Sequence, residues 1–247
     1  MNRTIIKNVA EKIIASVVRI DKNNISIAFS GGIDSSLLAY IIKKYNPNVK
    51  KFKLIYTGLE GTHDFFGSLN SAQLLGLKLY QHILTKEIII DYVDKLKKLL
   101  QTDDLIEISY LLPLYAVLKN TQDKVVVSGG GSDELFMGYH RFTENLVNAQ
   151  QLSYKLFTDL QKTVKVREEK IAKSCGKLLV MPYLDQNLGE YVLGLDTFYK
   201  NDRKSVKIIL RNVAEYLGLP DEIVNKPKKA SQYGSGVWKV IKNLESR

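Results

Sequence analysis

Two stretches of this chain gather glycine, hydroxyl and carboxylate residues at the end of an apolar run. In the first, Ser30-Gly31-Gly32-Ile33-Asp34-Ser35-Ser36 follows Ile25 to Phe29 and precedes Leu37 to Ile42. A strand feeding a glycine turn that opens a helix makes a phosphate cradle, because glycine lets the backbone approach an anion and the helix N–H groups point at it. Ser30, Ser35 and Ser36 can donate to phosphate oxygens, whereas Asp34 has the wrong sign for phosphate and is explained as holding a divalent cation that bridges to it. The same residues also read as a serine-capped helix start. Neither a Walker loop nor a dinucleotide fingerprint fits, since the Gly-Lys-Ser/Thr ending and the third glycine are both missing.

The second stretch, Ser128-Gly129-Gly130-Gly131-Ser132-Asp133-Glu134-Leu135-Phe136-Met137-Gly138-Tyr139, follows Val125-Val126-Val127 and repeats the pattern. With both turns at strand carboxyl ends, Asp34 and Asp133 could reach one magnesium ion between them, with pyrophosphate and water completing an oxygen shell. A helix cap is the other reading of Asp133.

These turns need strands to carry them and helices to follow. Ile25 to Phe29, Lys53 to Tyr56, Leu77 to Leu84 and Val125 to Ser128 read as strands. Leu37 to Lys44, Asp64 to Leu75, Lys86 to Leu100 and Leu111 to Lys119 have helical apolar spacing between them. The alternation predicts an α/β fold, a parallel sheet with helices on both faces and right-handed crossovers. After about Tyr139 the segments Glu144 to Leu160, Arg167 to Ser174, Leu188 to Leu193 and Lys204 to Leu217 read as helices with no further strand. The expected organisation is therefore an α/β domain over residues 1–140 and an all-helical lobe over residues 141–247, meeting at an interface where a site would sit.

Composition narrows the partners. The 247 residues are ordinary for a globular protein, with 45% hydrophobic and 25% charged residues, and the net charge of +10 favours anionic partners such as nucleotide phosphates, acidic metabolites or RNA. Cys175 is the only cysteine, which excludes an internal disulfide, a cysteine-rich zinc site and a two-cysteine sulfur relay within this chain. Met1 to Arg19 reads as an amphipathic helix rather than a signal peptide, and no apolar run reaches membrane-spanning length, so a cytoplasmic location is expected.

Ser30 to Ser36 is similar to the pyrophosphate loop of the N-type ATP pyrophosphatases, and Ser128 to Tyr139 resembles the second signature of the asparagine synthetase synthase domain. Thr57-Gly58-Leu59, Met181-Pro182-Tyr183-Leu184-Asp185, Lys204 to Arg211 and Lys228 to Gly236 follow in the family's order, so the likeness covers nearly the whole chain. The resemblance implies an adenine nucleotide alpha hydrolase-like fold and ATP-dependent activation of a carboxylate. The substrate oxygen attacks the α-phosphorus, pyrophosphate leaves, and ammonia or an amine then displaces AMP. By position, the backbone of Phe29, Thr57, Ser128 and Gly129 would hold adenosine, and Ser30, Gly31, Gly32, Asp34, Ser35 and Ser36 would form the pyrophosphate loop. Asp34 and Asp133 would bind Mg2+. Lys204 matches a lysine that contacts the phosphates, and Lys228 matches the family's transition-state lysine, with Lys229 the alternative one place on.

The chain also departs from the family. Asn2 follows Met1 where glutamine-using members carry a nucleophilic cysteine, so nitrogen is expected from free ammonia, an amine or a separate glutaminase subunit. Gly130 stands where synthetases usually place a glutamate and the lactam-forming relatives a tyrosine, leaving the general base unassigned. Leu178-Leu179-Val180-Met181 replaces a segment with an acid and an arginine, which puts aspartate in doubt as the substrate. Glu107, Glu134, Tyr139 and His140 are candidate replacements for the acid. A tRNA-modifying pyrophosphatase and a non-catalytic ATP-binding subunit are the competing readings; nucleic acid and membrane are not expected partners, and a homo-oligomer is left open.

Overall fold

Ile25, Ser26 and Ile27 are all wholly buried. Successive strand residues point to opposite faces, so the sheet that contains them is covered on both sides. The computed structural model describes residues 2–144, 146–202, 204–227 and 231–243. Its five strands are β1 (Asn24–Ala28), β2 (Lys51–Gly58), β3 (Leu79–Ile83), β4 (Val125–Val127) and β5 (Leu178–Val180), all parallel in the order β3-β2-β1-β4-β5.

The helices of the first half are α1 (Arg3–Val18), α2 (Ile33–Tyr45), α3 (His63–Leu74), α4 (Lys86–Leu100), α5 (Leu105–Asn120) and the single turn α6 (Ser132–Leu135). Beyond them come α7 (Arg141–Glu144), α8 (Leu146–Asp159), α9 (Lys165–Ser174), α10 (Gln186–Leu193), α11 (Ile208–Leu217), α12 (Asp221–Val224), α13 (Ser231–Gly234) and α14 (Val237–Lys242). Hydroxyl or carboxylate caps start several of them: Thr62 accepts from the Phe65 N–H, Thr85 from Ile88, and Asp104 from Ile106 and Glu107. Helices α1, α2 and α11 pack on one another, as do α4, α5 and α14.

β5 corrects the expectation that everything after Tyr139 is helical. Leu178 to Val180 extends the sheet beside β4, with Leu179 opposite Val126, and one hydrophobic core runs from Val9 to Ile241. Three residues after a helix are too few for strand periodicity to register; what identifies β5 is its pairing, a long-range fact. Among the described residues no helix is long and apolar enough to cross a membrane.

Candidate active site

β1 and β4 lie side by side, Ile27 opposite Val127, so the two glycine turns leave the sheet next to each other, at the point where the strand order reverses direction. Gly31 has φ of 70°, and a Cβ there would run into the Gly67 carbonyl of α3, which leaves glycine as the residue that closes this turn. The Gly31 carbonyl accepts from Ser71 Oγ at 2.8 Å and Lys226 Nζ at 2.9 Å. Gly32 caps α2 without a side-chain bond, and the first amides of a helix have no intrahelical acceptor, so the turn offers N–H groups to an anion.

The two turns meet through side chains. Lys207 Nζ lies 2.6 and 2.7 Å from the two carboxylate oxygens of Asp34, 2.6 Å from Asp133 Oδ1 and 3.1 Å from Ser132 Oγ. Ser132 Oγ donates to Asp34 Oδ1 at 2.6 Å, and the buried Tyr183 hydroxyl donates to the Asp34 carbonyl at 3.0 Å. Burial pulls the pKa of Lys207 down, but the charges of Asp133 and Asp34 outweigh it and the net shift is upward, so the ammonium stays charged although its side chain is 1% exposed. The Asp34 and Asp133 carboxylates thus already close on a single positive charge with oxygen donors, and they fit a hard divalent cation. Among the described residues no group of three or more His, Cys, Asp or Glu gathers as a self-sufficient metal site.

The other residues singled out in the sequence fall as follows. Ser30 Oγ accepts from the Gly32 N–H at 3.3 Å and Ser35 Oγ donates to the Gly32 carbonyl at 3.3 Å, so both hydroxyls line the first turn. Ser36 is wholly buried and its hydroxyl has no partner among the described residues. The Phe29 and Ser128 N–H groups are taken by the Ile55 and Val180 carbonyls at 2.9 Å each, and Thr57 Oγ1 donates to the Pro113 carbonyl of α5 at 2.8 Å. Gly129 packs against Asp34, where a Cβ would come within 3.2 Å of the Asp34 Cβ. Lys204 is exposed, in a turn whose amides bond Asp202 Oδ1; the lysine that reaches the two carboxylates is Lys207, at the start of α11. Lys228 and Lys229 lie outside the described residues. The segment before them is tied down, with Arg211 bonding the Val224 and Lys226 carbonyls. The segment after them is pinned by the Leu59 N–H on the Ser235 carbonyl at 2.9 Å.

Around Gly130 the acid comes from elsewhere in the chain. A Cβ on Gly130 would stand 3.5 Å from Glu168 Oε2 and 3.2 Å from Met181 Sδ, so the α9 side chain Glu168 points its carboxyl into the space beside this glycine. Burial first, and the nearby Glu134 charge second, push Glu168 up to about 7. Glu134 is also raised by burial, against the hydrogen bond it accepts from the Tyr139 hydroxyl at 2.5 Å. Of the other candidates, Glu107 is paired with Arg167 and His140 is exposed beside Glu144. Glu168 escapes a sequence reading because it sits in the charge run Lys165 to Lys170, which looks like a solvated face. The signal was there: Val164, Glu168, Ile171, Ala172 and Cys175 share one helical stripe, and Ile171 and Ala172 are buried.

Comparison with known proteins finds relatives over most of this chain. A protein of Methanocaldococcus jannaschii that carries the name asparagine synthetase 1 (glutamine-hydrolyzing) is 31% identical over 259 aligned positions, covering 89% of this chain and 47% of that one. The asparagine synthetase (glutamine-hydrolyzing) of Homo sapiens is 29% identical over 222 positions, covering 85% of this chain and 39% of that one. The chain thus spans less than half the length of the relatives it matches. A solved NMN synthetase from Francisella tularensis superposes with a TM-score of 0.49 at 14% identity, over 98% of this chain and 87% of that one. The family model described as asparagine synthase matches residues 9–156 and 147–247, and with that coverage the chain belongs to the asparagine synthase family.

Proposed function

We propose that this protein is an ATP-dependent, AMP-forming carbon–nitrogen ligase that activates a carboxylate by adenylation and passes the acyl group to ammonia or an amine. The observation that carries this reading is the closure of Asp34 and Asp133 on one positive charge, directly beside the glycine turn that opens α2. The Ser30 to Ser36 loop would take the pyrophosphate, and Asp34 and Asp133 would hold Mg2+, which would supply positive charge beside the phosphates. The backbone of Phe29, Thr57, Ser128 and Gly129 would hold adenosine. Lys228 would serve the transition state; among the described residues of this part of the chain, Lys226 bonds the Gly31 carbonyl and the Ser235 carbonyl accepts from Leu59.

The acceptor half differs from the family pattern. Glu168 takes the proton of the incoming nitrogen in place of an acid at Gly130, and its raised pKa suits a base working near neutrality. Leu178 to Met181 lacks the acid and arginine of the family segment, which speaks against aspartate as the carboxylate, and ammonia or an amine is the nitrogen source.

Release of pyrophosphate and AMP from ATP, followed across a panel of carboxylates with ammonium or primary amines, tests the reading. Asp34→Ala and Lys228→Ala are each expected to lower turnover at least ~100-fold. Unchanged turnover in both variants overturns it.

A further inference from the structure

The site holds a cation of its own. Lys207 Nζ has four oxygen neighbours within 3.1 Å, two of them on Asp34, one on Asp133 and one on Ser132, enough to satisfy all three ammonium protons. A divalent metal bound by the same carboxylates would sit about 2.1 Å from their oxygens, which is the volume that the nitrogen fills. Adding it without moving Lys207 would set three positive charges against two negative ones within a few ångströms.

The surroundings are cut to fit the lysine in this place. A Cβ on Gly138 would overlap both Asp133 Oδ1 and Lys207 Cε, so the missing side chain there makes room for the ion pair. Lys207 itself has φ of 56°, one of three non-glycine residues with positive φ among the described residues. A left-handed lysine is unfavourable, and the ion pairs hold it there. Lys207 is the residue before α11, whose buried Ile209, Leu210, Val213 and Ala214 fix the helix behind it, so its side chain can swing without disturbing the core.

We propose that the Lys207 ammonium and a divalent cation are alternative occupants of the position between Asp34 and Asp133, so that free cation is excluded until nucleotide phosphates draw Lys207 away. Exclusion rests on the ion-pair geometry alone, and displacement rests on the nucleotide-binding reading above. Cation and ATP then load together, and the ammonium moves from the carboxylates to the phosphates.

The test uses Mn2+ as the probe, with free Mn2+ followed by electron paramagnetic resonance on the full chain, and needs no knowledge of the carboxylate substrate. Without nucleotide, wild type is expected to bind Mn2+ at least ~10-fold more weakly than Lys207→Met, and adding Asp34→Asn to that variant should abolish the gain. Mn2+ should raise the melting temperature of Lys207→Met and leave that of wild type unchanged. Lys207→Gln, which keeps a hydrogen-bonding group between the carboxylates, serves if the methionine variant does not fold. In the presence of α,β-methylene-ATP, wild type should take up Mn2+ beyond what the nucleotide binds in a protein-free control. Wild type binding Mn2+ as tightly as the Lys207 variants without nucleotide overturns the proposal, as does no gain in either variant. If the variants gain Mn2+ but nucleotide gives wild type none, displacement is overturned together with the nucleotide reading, while exclusion stands.

Discussion

The two glycine turns look alike in sequence and are built differently. The first works through its backbone. Gly31 fits against the Gly67 carbonyl, its own carbonyl is bonded by Ser71 and Lys226, and the 13-residue α2 that follows presents its amides. The second leads into the four-residue α6 and works through side chains, with Asp133 turned to Lys207, Glu134 to Tyr139, and Gly130 leaving space that Glu168 enters. A backbone site answers to the one anion shape that phosphate groups share. A side-chain site can be refitted one residue at a time, and it is in the second turn that Gly130 leaves room for the carboxyl of Glu168.

The sharpest way to break that contrast is to put a side chain into the first turn. Gly31→Ala should cost on the order of 3 kcal/mol, because the methyl group meets main chain that cannot rotate aside and the φ of 70° is unfavourable for alanine. Urea denaturation would measure it, and nucleotide binding should be lost in the same variant. A loss below ~1 kcal/mol would mean that the first turn is as adaptable as the second.

Changes beside Gly130, away from Ser128, Gly129 and Asp133, should leave nucleotide binding intact. Glu168→Gln is expected to slow amide formation ~10- to 100-fold with the affinity for ATP unchanged, read by comparing turnover with equilibrium nucleotide binding. The same variant carries a pH signature. Because Glu168 is held near 7 in the folded protein against a usual 4.5, the folded state binds the proton more tightly. Stability should therefore fall, by on the order of 2 kcal/mol, as pH rises from ~4.5 to ~7, and turnover should rise over the upper part of that range as the carboxylate ionises. Glu168→Gln should flatten both profiles. The smallest effect belongs to Gly130→Glu in the Glu168→Gln background, where a few-fold recovery of turnover is expected; Met181 Sδ, 3.2 Å from the new Cβ, has to shift to admit it.

Much of this was legible beforehand. Four of the strands and the helices between them have the apolar spacing that their burial demands, and both carboxylates fall at strand ends where the parallel order brings them together. β5 was hidden because three residues carry no period and its partner lies some fifty positions earlier. Lys207 was hidden among neighbouring lysines, although Ile208, Ile209 and Leu210 begin the apolar face of α11 and set Lys207 at its edge rather than on its solvent side. Glu168 was masked by the charges on either side of it. For Glu168 local composition spoke for solvent while packing spoke for the interior, and the second prevailed because a helix stripe buries whatever lies on it.

Asp34 and its counter-charge are 173 residues apart in the chain. As the polypeptide emerges from its amino terminus, the sheet that sets Asp34 next to Asp133 is nearly complete before Lys207 has been made. Any stretch of chain ending short of that lysine holds two facing acids with nothing between them. The site is thus finished by a late segment, and the order in which its charges meet is written into the order of the sequence.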